Sequence, residues 1–337
     1  SRIADIFLNI GWIGVQLFFV LSGFLITGIL LDTAHSQGYY RNFIARRVLR
    51  IFPLYYGVLF VAFVIVPMFW TVPPGYGEHQ LWLWIYLENF TAPFGRTEAA
   101  FPHFWSLCVE EQFYLLWPLV VSMGGRRGVL RLGAVLVVAA IVARIWVRHH
   151  FPGELGANAA YVFTFCRMDA LAIGAMTAAL LRDERVQGWL EGHGGLRAEG
   201  AAMALIIGGC VAGLFQRTGA AMQWFGYSII ALGFAGWIVA ALQPASLSSR
   251  ALSWKPLRRV GTYSYAMYVF YAPLHLFVGL PMLGRLAEHA GMLTTLVYTL
   301  AMTAITFALG ALSYHLYESR FLAMKRWFAP SSRPSSP

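Results

Sequence analysis

The sequence predicts an all-α protein, a polytopic bundle of transmembrane helices. Of its 337 residues, 58% are hydrophobic and only 12% are charged, about half the charged fraction of a typical soluble domain. The mean hydropathy is +0.61. Apolar runs of about 20 residues, the length that spans the hydrocarbon core of a bilayer, recur along the whole chain. We therefore expect one membrane domain over residues 1–328 and a disordered Pro/Ser-rich tail over 329–337.

Nine apolar segments are long enough to be predicted as spans. They are 10–31, 51–70, 104–124, 130–147, 160–181, 200–216, 222–242, 261–283 and 292–317. A further apolar run at 81–90 is too short to cross a bilayer. Its Trp and Tyr residues favour an interfacial or re-entrant helix, because these side chains prefer the headgroup region.

The basic residues orient the predicted bundle. If the first segment runs from outside to inside, most of the 25 lysines and arginines lie on the cytoplasmic side, as the positive-inside rule requires. The amino end is then outside and the carboxyl end is cytoplasmic. The net charge of +10 is therefore explained by basic residues on the cytoplasmic side of a lipid bilayer. It does not indicate nucleic-acid binding, because the sequence contains no solvated basic domain. The three cysteines lack metal-ligand spacing, so we expect neither a disulfide framework nor a metal site.

Several ionisable residues fall in the outer halves of the predicted spans: Glu110, Glu111, Arg144, Arg167 and Asp169. Intramembrane charges cost at least about 2.5–3.5 kcal/mol, so they usually face a partner or a cavity. Glu110 shares a helix face with Tyr114 and lies seven residues after His103, whereas Glu111 points about 100° away. Two interpretations stay open: structural pairing, such as Glu110 with Arg167, or a functional cavity. His103 is either part of that cavity or an interfacial histidine without chemistry.

Two further patterns are candidate binding sites. Arg47 and Arg50 are three residues apart at the cytoplasmic end of the second span, where two guanidinium groups can clamp a phosphate. Simple positive-inside anchoring explains the same spacing. Tyr268, Tyr271 and His275 share one face of a later span. Aromatic stripes in membrane helices are usually packing, but three hydrogen-bonding tips on one face favour the wall of a polar cavity.

Six segments together resemble a known family. They are "GVQLFFVLSGFLIT" (14–27), "RRVLRIFPLYY" (46–56), "HFWSLCVEEQFYLLWP" (103–118), "FCRMDALAIGAM" (165–176), "GTYSYAMYVFYAPL" (261–274) and "YHLYESRF" (314–321). They occur in the order found in acyltransferase family 3, whose members are integral-membrane enzymes that O-acylate sugars, cell-envelope polymers or small molecules. The resemblance implies a ten-helix bundle in a bacterial inner membrane.

The resemblance also implies roles for particular residues. Arg47 and Arg50 match the family's Arg-x-x-Arg pair, which is associated with the acyl-CoA donor, commonly acetyl-CoA. Glu110 and Tyr114 match the acid and the tyrosine of the Trp-Ser-Leu-x-x-Glu signature, and Arg167 matches a further signature arginine. We expect transfer of an acyl group to a hydroxyl of a carbohydrate or other small acceptor. Glu110, Tyr114 and His103 are the catalytic candidates, and the substrate-binding candidates are Arg167, Asp169, Tyr268, Tyr271 and His275.

Two departures from the family pattern affect this expectation. The family begins with a helix that carries an arginine and an essential histidine, whereas this sequence opens at "SRIADIFLNIGWIG", which resembles the loop after that helix. We therefore expect the chain as given to be catalytically silent or nearly so, with Glu110 orienting or deprotonating the histidine of an upstream segment. Tyr271 stands where the family often has histidine, and His275 is a candidate replacement.

Two other functions remain as alternatives. A transporter or permease would also place charges around an intramembrane cavity, although the inverted repeats and paired broken helices typical of transporters are not visible. An inactive partner subunit is the third interpretation.

Overall fold

A computed structural model describes residues 11–190, 194–211, 215–244, 246–286 and 291–329. Within these residues every regular element is a helix, and seven helices are long and apolar enough to cross a membrane. The all-α polytopic prediction is therefore confirmed. Except for Ala329, the predicted tail at 329–337 lies outside the described residues.

We number the helices in chain order, as follows: α1 Ile13–Asp32, α2 Tyr39–Phe69, α3 Gln80–Trp84, α4 Glu88–Thr91, α5 Trp105–His150, α6 Gly153–Val162, α7 Thr164–Leu180, α8 Glu184–Trp189, α9 Gly195–Val211, α10 Met222–Ala241, α11 Leu247–Leu252, α12 Lys255–Leu283 and α13 Leu293–Phe328. Helices α6 and α7 together form one span, Gly153–Leu180. The seven long helices are thus α1, α2, α5, the α6–α7 pair, α10, α12 and α13.

The helices fall into two compact units. Unit 1 contains Ser1–Tyr39, Asn89–Gly95 and Trp105–Ser253, and unit 2 contains Tyr40–Glu88, Arg96–Phe104 and Trp254–Pro337. Unit 1 therefore contains α1, α5 to α11 and all of α4 after its first residue. Unit 2 contains α3, α12, α13 and all of α2 after its first residue.

The count of seven long helices differs from the nine predicted spans at two places. The predicted spans 104–124 and 130–147 both lie in α5, which is interrupted at Gly125, where φ is 51° and ψ is −151°. Glycine adopts this left-handed conformation without the strain of a Cβ. The predicted span 200–216 corresponds to α9, whose described residues number 17, about 26 Å of helix.

The interruption at Gly125 turns α5 into a helical hairpin. A straight helix would separate Trp105 from Arg144 by about 58 Å. Instead, the Trp105 ring lies 5.8 Å from the Arg167 Cζ, and Arg144 bonds to Asp169 in the same turn of α7. Both ends of α5 therefore contact the same part of unit 1. The two predicted spans are the two arms of this hairpin.

Helices α1 and α7 pack with their backbones in close contact. A Cβ added at Gly23 would lie 1.9 Å from the Leu171 carbonyl oxygen, and one at Gly174 would lie 1.9 Å from the Val20 carbonyl oxygen. Small residues at helix interfaces allow this approach in membranes, where packing replaces the hydrophobic effect as the driving force for helix association. These two glycines therefore set the distance between the central helices of unit 1.

The predicted short helix at 81–90 is found in unit 2 as α3, and α4 follows at Glu88–Thr91, which after Glu88 belongs to unit 1. Tyr55 and Tyr56 on α2 donate hydrogen bonds to the carbonyl oxygens of Leu83 and Trp84, at 2.7 and 3.0 Å. These bonds attach α3 to α2. Neither α3 nor α4 is long enough to span a bilayer, as the sequence predicted.

We predict that replacing Gly174 by alanine destabilises unit 1. The new methyl group would overlap the backbone of Val20, and overpacking of this kind typically costs about 1–3 kcal/mol. The apparent melting temperature of the purified protein in detergent should therefore fall by several degrees. Gly14→Ala is the matched control, because Gly14 lies on α1 with nothing within 4 Å of the added Cβ. Equal melting temperatures for the two variants would contradict the close α1–α7 contact.

Candidate functional site

The two adjacent carboxylates of α5 have different surroundings. Glu110 is 2% exposed, whereas Glu111 is half-buried. Tyr114, one turn after Glu110, is also buried, and its hydroxyl is hydrogen-bonded to the Ser22 hydroxyl on α1. The stripe of Glu110 and Tyr114 therefore faces the interior of unit 1, in agreement with the helical spacing.

Arg167 lies within a box of four aromatic rings. It is fully buried, and its Cζ lies 4.5 Å from the ring centre of Tyr227, 5.1 Å from Tyr161, 5.5 Å from Phe19 and 5.8 Å from Trp105. Among the described residues, its three guanidinium nitrogens have no hydrogen-bond partner. Cation–π attraction is thus the contact by which the described part of unit 1 compensates this charge.

The structural pair of Glu110 with Arg167 is not formed. All three guanidinium nitrogens of Arg167 lack a hydrogen-bond partner among the described residues, whereas Arg144 is paired with Asp169. The N–H donors of the Arg167 guanidinium are therefore not used by a carboxylate of the described chain. Such a group can bind an oxygen of a ligand in its plane while the rings cover its faces.

Asp169 belongs to a buried network with Arg144. Both side chains are fully buried, and Arg144 Nη1 lies 2.9 Å from Asp169 Oδ2. The same carboxylate oxygen accepts a 2.5 Å bond from Ser228 on α10. Arg144 also donates to the carbonyl oxygens of Cys166 and Trp224, at 2.7 and 3.2 Å. This network joins α5, α7 and α10, so its geometry favours a structural role for Asp169 over the predicted substrate contact.

In unit 2, three of the predicted residues come together. The His103 ring is packed against Tyr268 and Tyr271, with ring centres 4.9 and 4.5 Å away. Tyr268 donates a hydrogen bond to the His103 carbonyl oxygen. Burial lowers the pKa of His103 to about 3. A general base works best with a pKa near the operating pH, so this environment disfavours His103 as the group that takes a proton from substrate.

His275 lies on α12, one helical turn beyond Tyr271. Its Nδ1 is 2.6 Å from the hydroxyl of Tyr298 on α13. No sequence pattern singles out Tyr298, because only the fold brings α13 against this part of α12.

Arg47 and Arg50 belong to a larger group of like charges. Arg46, Arg47 and Arg50 are half-buried at the start of α2, and all three repel the ammonium group of Lys325 on α13 electrostatically. We call these four residues the basic cluster. Glu318 is attracted to Arg50. The sequence alone does not connect Lys325 with the arginine pair, since 275 residues separate it from Arg50. Like charges gathered in this way favour binding of a polyanion.

No metal site is formed by the described residues, since no three His, Cys, Asp or Glu side chains among them are grouped so that they could hold a metal ion. The candidate chemistry of the chain therefore rests on carboxylate, guanidinium, phenol and imidazole groups.

Comparison with known proteins identifies relatives of this chain. A family model for an acyltransferase domain, that of acyltransferase family 3, matches residues 2–315. The chain is 29% identical over 300 residues to O-acetyltransferase OatA of Staphylococcus aureus (strain NCTC 8325 / PS 47), covering 80% of this chain and 46% of that relative. It is 28% identical over 283 residues to peptidoglycan O-acetyltransferase OatA of Listeria monocytogenes serovar 1/2a, covering 78% and 45%. The chain thus spans less than half the length of these relatives. No solved structure matches significantly.

We predict that Arg144→Met strongly destabilises unit 1. The substitution leaves Asp169 buried without its cation, which typically costs about 3–5 kcal/mol. The double variant Arg144→Met/Asp169→Leu should recover most of the loss, because apolar replacement of a whole buried pair is often neutral. Apparent melting temperatures in detergent would compare the three proteins. A double variant less stable than Arg144→Met would contradict the assignment of this pair as a structural unit.

Proposed function

Because the chain belongs to acyltransferase family 3, we propose that it transfers an acetyl group from acetyl-CoA to a hydroxyl of a cell-envelope carbohydrate. The names of the relatives support the acetyl group and the carbohydrate acceptor, since one of them is named as a peptidoglycan O-acetyltransferase. Family membership also argues against the transporter alternative.

The basic cluster is the observation that best supports a CoA donor. Coenzyme A carries a diphosphate and a 3′-phosphate, and three arginines with one lysine offer a matching set of cations. Arginine binds phosphate through two parallel N–H donors, and lysine adds a point charge. Half-burial strengthens these interactions compared with a fully solvated surface. Simple membrane anchoring does not need four cations that repel one another.

Glu110 and Arg167 are the groups in unit 1 that we assign to the transfer step. The acceptor hydroxyl loses a proton to a base while its oxygen attacks the thioester carbonyl carbon, and the C–S bond then breaks to release CoA as its thiol. In the family pattern the base is a histidine, and Glu110 is suited to orient it and to stabilise its protonated form. The N–H donors of Arg167, which no described residue accepts, are suited to bind an oxygen of the substrate.

The orientation of the chain in the membrane follows from the assignment of the basic cluster to acetyl-CoA. Acetyl-CoA is a cytoplasmic metabolite, so the basic cluster would face the cytoplasm of a bacterial inner membrane. The carboxyl end of the chain would lie on the same side, as the positive-inside rule predicts. Acetyl groups would then leave the cytoplasm as esters of an envelope polymer.

We predict that the double variant Arg47→Gln/Arg50→Gln weakens acetyl-CoA binding about tenfold to hundredfold per arginine, because each charge-assisted bond contributes about 1.5–3 kcal/mol. Lys325→Gln should weaken it in the same direction. Isothermal titration of the purified protein with acetyl-CoA measures the effect. This binding measurement does not require a complete catalytic centre.

Arg41→Gln is the matched control, because Arg41 is an exposed arginine on α2 outside the basic cluster. Desphospho-CoA, which lacks the 3′-phosphate, should bind the unaltered protein more weakly than CoA. If Arg47→Gln/Arg50→Gln binds acetyl-CoA as tightly as Arg41→Gln does, the two arginines only anchor the chain at the membrane surface.

A further inference from the structure

Unit 2 contains a groove that the proposed transfer step does not use. It lies between α12 and α13 and has a volume of about 270 Å³. At one end it is lined by Tyr271, His275, Tyr298 and Thr299, and beyond them by Met267, Met302, Thr303 and Thr306. One end is therefore polar and the remainder is mostly apolar.

The polar end is built by a local departure from α-helical geometry. Residues His275–Gly279 of α12 form a π-helical turn, a feature often found at functional sites. A Cβ at position 279 would lie 2.3 Å from the Tyr298 hydroxyl and 3.0 Å from His275 Nδ1. Only glycine at this position leaves room for the 2.6 Å contact between the two side chains. The His275–Tyr298 pair thus depends on both the π turn and Gly279.

The groove runs along the helix axes. His275 pairs with Tyr298 at one end of the two helices, while Tyr263 and His315 are bonded at 3.0 Å further along them, so α12 and α13 are antiparallel. Met267 precedes His275 by eight residues and Thr306 follows Tyr298 by eight. The apolar walls therefore extend about 12 Å from the polar end. In the predicted orientation, this direction leads towards the centre of the bilayer from a depth of about 12 Å below the outer end of α12 at Leu283.

The rim of the groove is suited to contact with hydrocarbon. Phe277, Leu296 and Leu300 beside it are 58%, 53% and 60% exposed, and both helices are long and apolar enough to cross the membrane. Apolar side chains exposed on a spanning helix face lipid. A ligand can therefore enter the groove sideways from the bilayer.

The lining also restricts the headgroup. No lysine, arginine, aspartate or glutamate lines the groove, whereas phosphate headgroups are usually bound by arginine or lysine. An imidazole and a phenol suit an uncharged hydroxyl, since each can donate or accept a hydrogen bond.

We propose that this groove binds one hydrocarbon chain of a neutral, hydroxyl-bearing lipid of the outer bilayer half, with the lipid hydroxyl hydrogen-bonded to the His275–Tyr298 pair. The apolar walls enclose the upper part of the chain. The site is a lipid-binding site in its own right and does not depend on acyl transfer.

Photocrosslinking in phosphatidylcholine nanodiscs tests the proposal. The probe is a long-chain monoacylglycerol with a diazirine in the part of the chain nearest its headgroup, and crosslinked residues are mapped by mass spectrometry. Crosslinks should concentrate at Met267, Met302 and Thr303. Thr303→Trp, which fills the groove, should reduce them to the background of lipid-facing residues. Leu300→Trp is the matched control, because its side chain already faces outward on the same helix.

Two further variants and a second probe test the polar end. Tyr298→Phe keeps the ring and should reduce crosslinking about fivefold, the effect of one net hydrogen bond. Gly279→Ala should have at least this effect, because it displaces Tyr298. A probe with the same chain and a phosphate headgroup should crosslink less than the monoacylglycerol. The proposal is wrong if the groove residues are crosslinked equally in Thr303→Trp and Leu300→Trp. It is also wrong if the phosphate probe crosslinks to the groove as well as the monoacylglycerol or better. A third contrary result is that the groove residues remain unlabelled because a protein segment covers them.

Discussion

The hydrocarbon of the bilayer imposes the constraint on which this structure depends, because every charge placed within it must be compensated by the protein. Unit 1 meets this constraint most completely at Arg144 and Asp169, where one ion pair and three hydrogen-bonding groups join the second arm of α5 to α7 and α10. A buried pair of this kind contributes little net stability compared with an apolar pair. It does join the facing sides of three helices, because its partners come from α5, α7 and α10.

The same constraint bears on the charges of Arg167 and of the basic cluster, which are compensated in other ways. Arg167 is covered by four aromatic rings, while its N–H donors remain unused by the described residues. The basic cluster of unit 2 gathers four cations that repel one another. In both places the protein maintains positive charge at an electrostatic cost, which is typical of sites that bind substrate. The positive charge at the basic cluster therefore supports binding of a phosphate-bearing donor there, and the charge of Arg167 supports binding of a ligand oxygen.

Much of the fold could be predicted from hydropathy alone, because length and apolarity decide whether a segment can cross a membrane. Each of the nine predicted segments corresponds to a helix or, in α5, to one arm of a helical hairpin. Hydropathy could not show that a single glycine, Gly125, would join two spans into one tight hairpin. This feature depends on backbone conformation at a single residue.

The candidate site was predictable only in part. Helical spacing correctly separated the buried Glu110 from the half-buried Glu111, and it grouped Tyr268 and Tyr271 with each other. Spacing within one helix carries no information about partners on another, so the Arg144 network around Asp169, the Tyr298 partner of His275 and the addition of Lys325 to the arginine pair required the tertiary structure. The low pKa of His103 likewise results from burial by side chains that are distant in sequence.

The central claim is that Glu110 and the basic cluster serve one acetyl transfer from CoA. The most direct measurement supplies radiolabelled acetyl-CoA to the cytoplasmic face of membranes that contain the full-length protein, and follows alkali-labile acetyl esters on envelope carbohydrate. We expect labelling by the unaltered protein and by Arg41→Gln. Glu110→Gln should lower it by about a hundredfold or more, as expected for loss of acid–base catalysis. Labelling that persists in both Glu110→Gln and Arg47→Gln/Arg50→Gln, or that is absent from the unaltered full-length protein, would contradict the account.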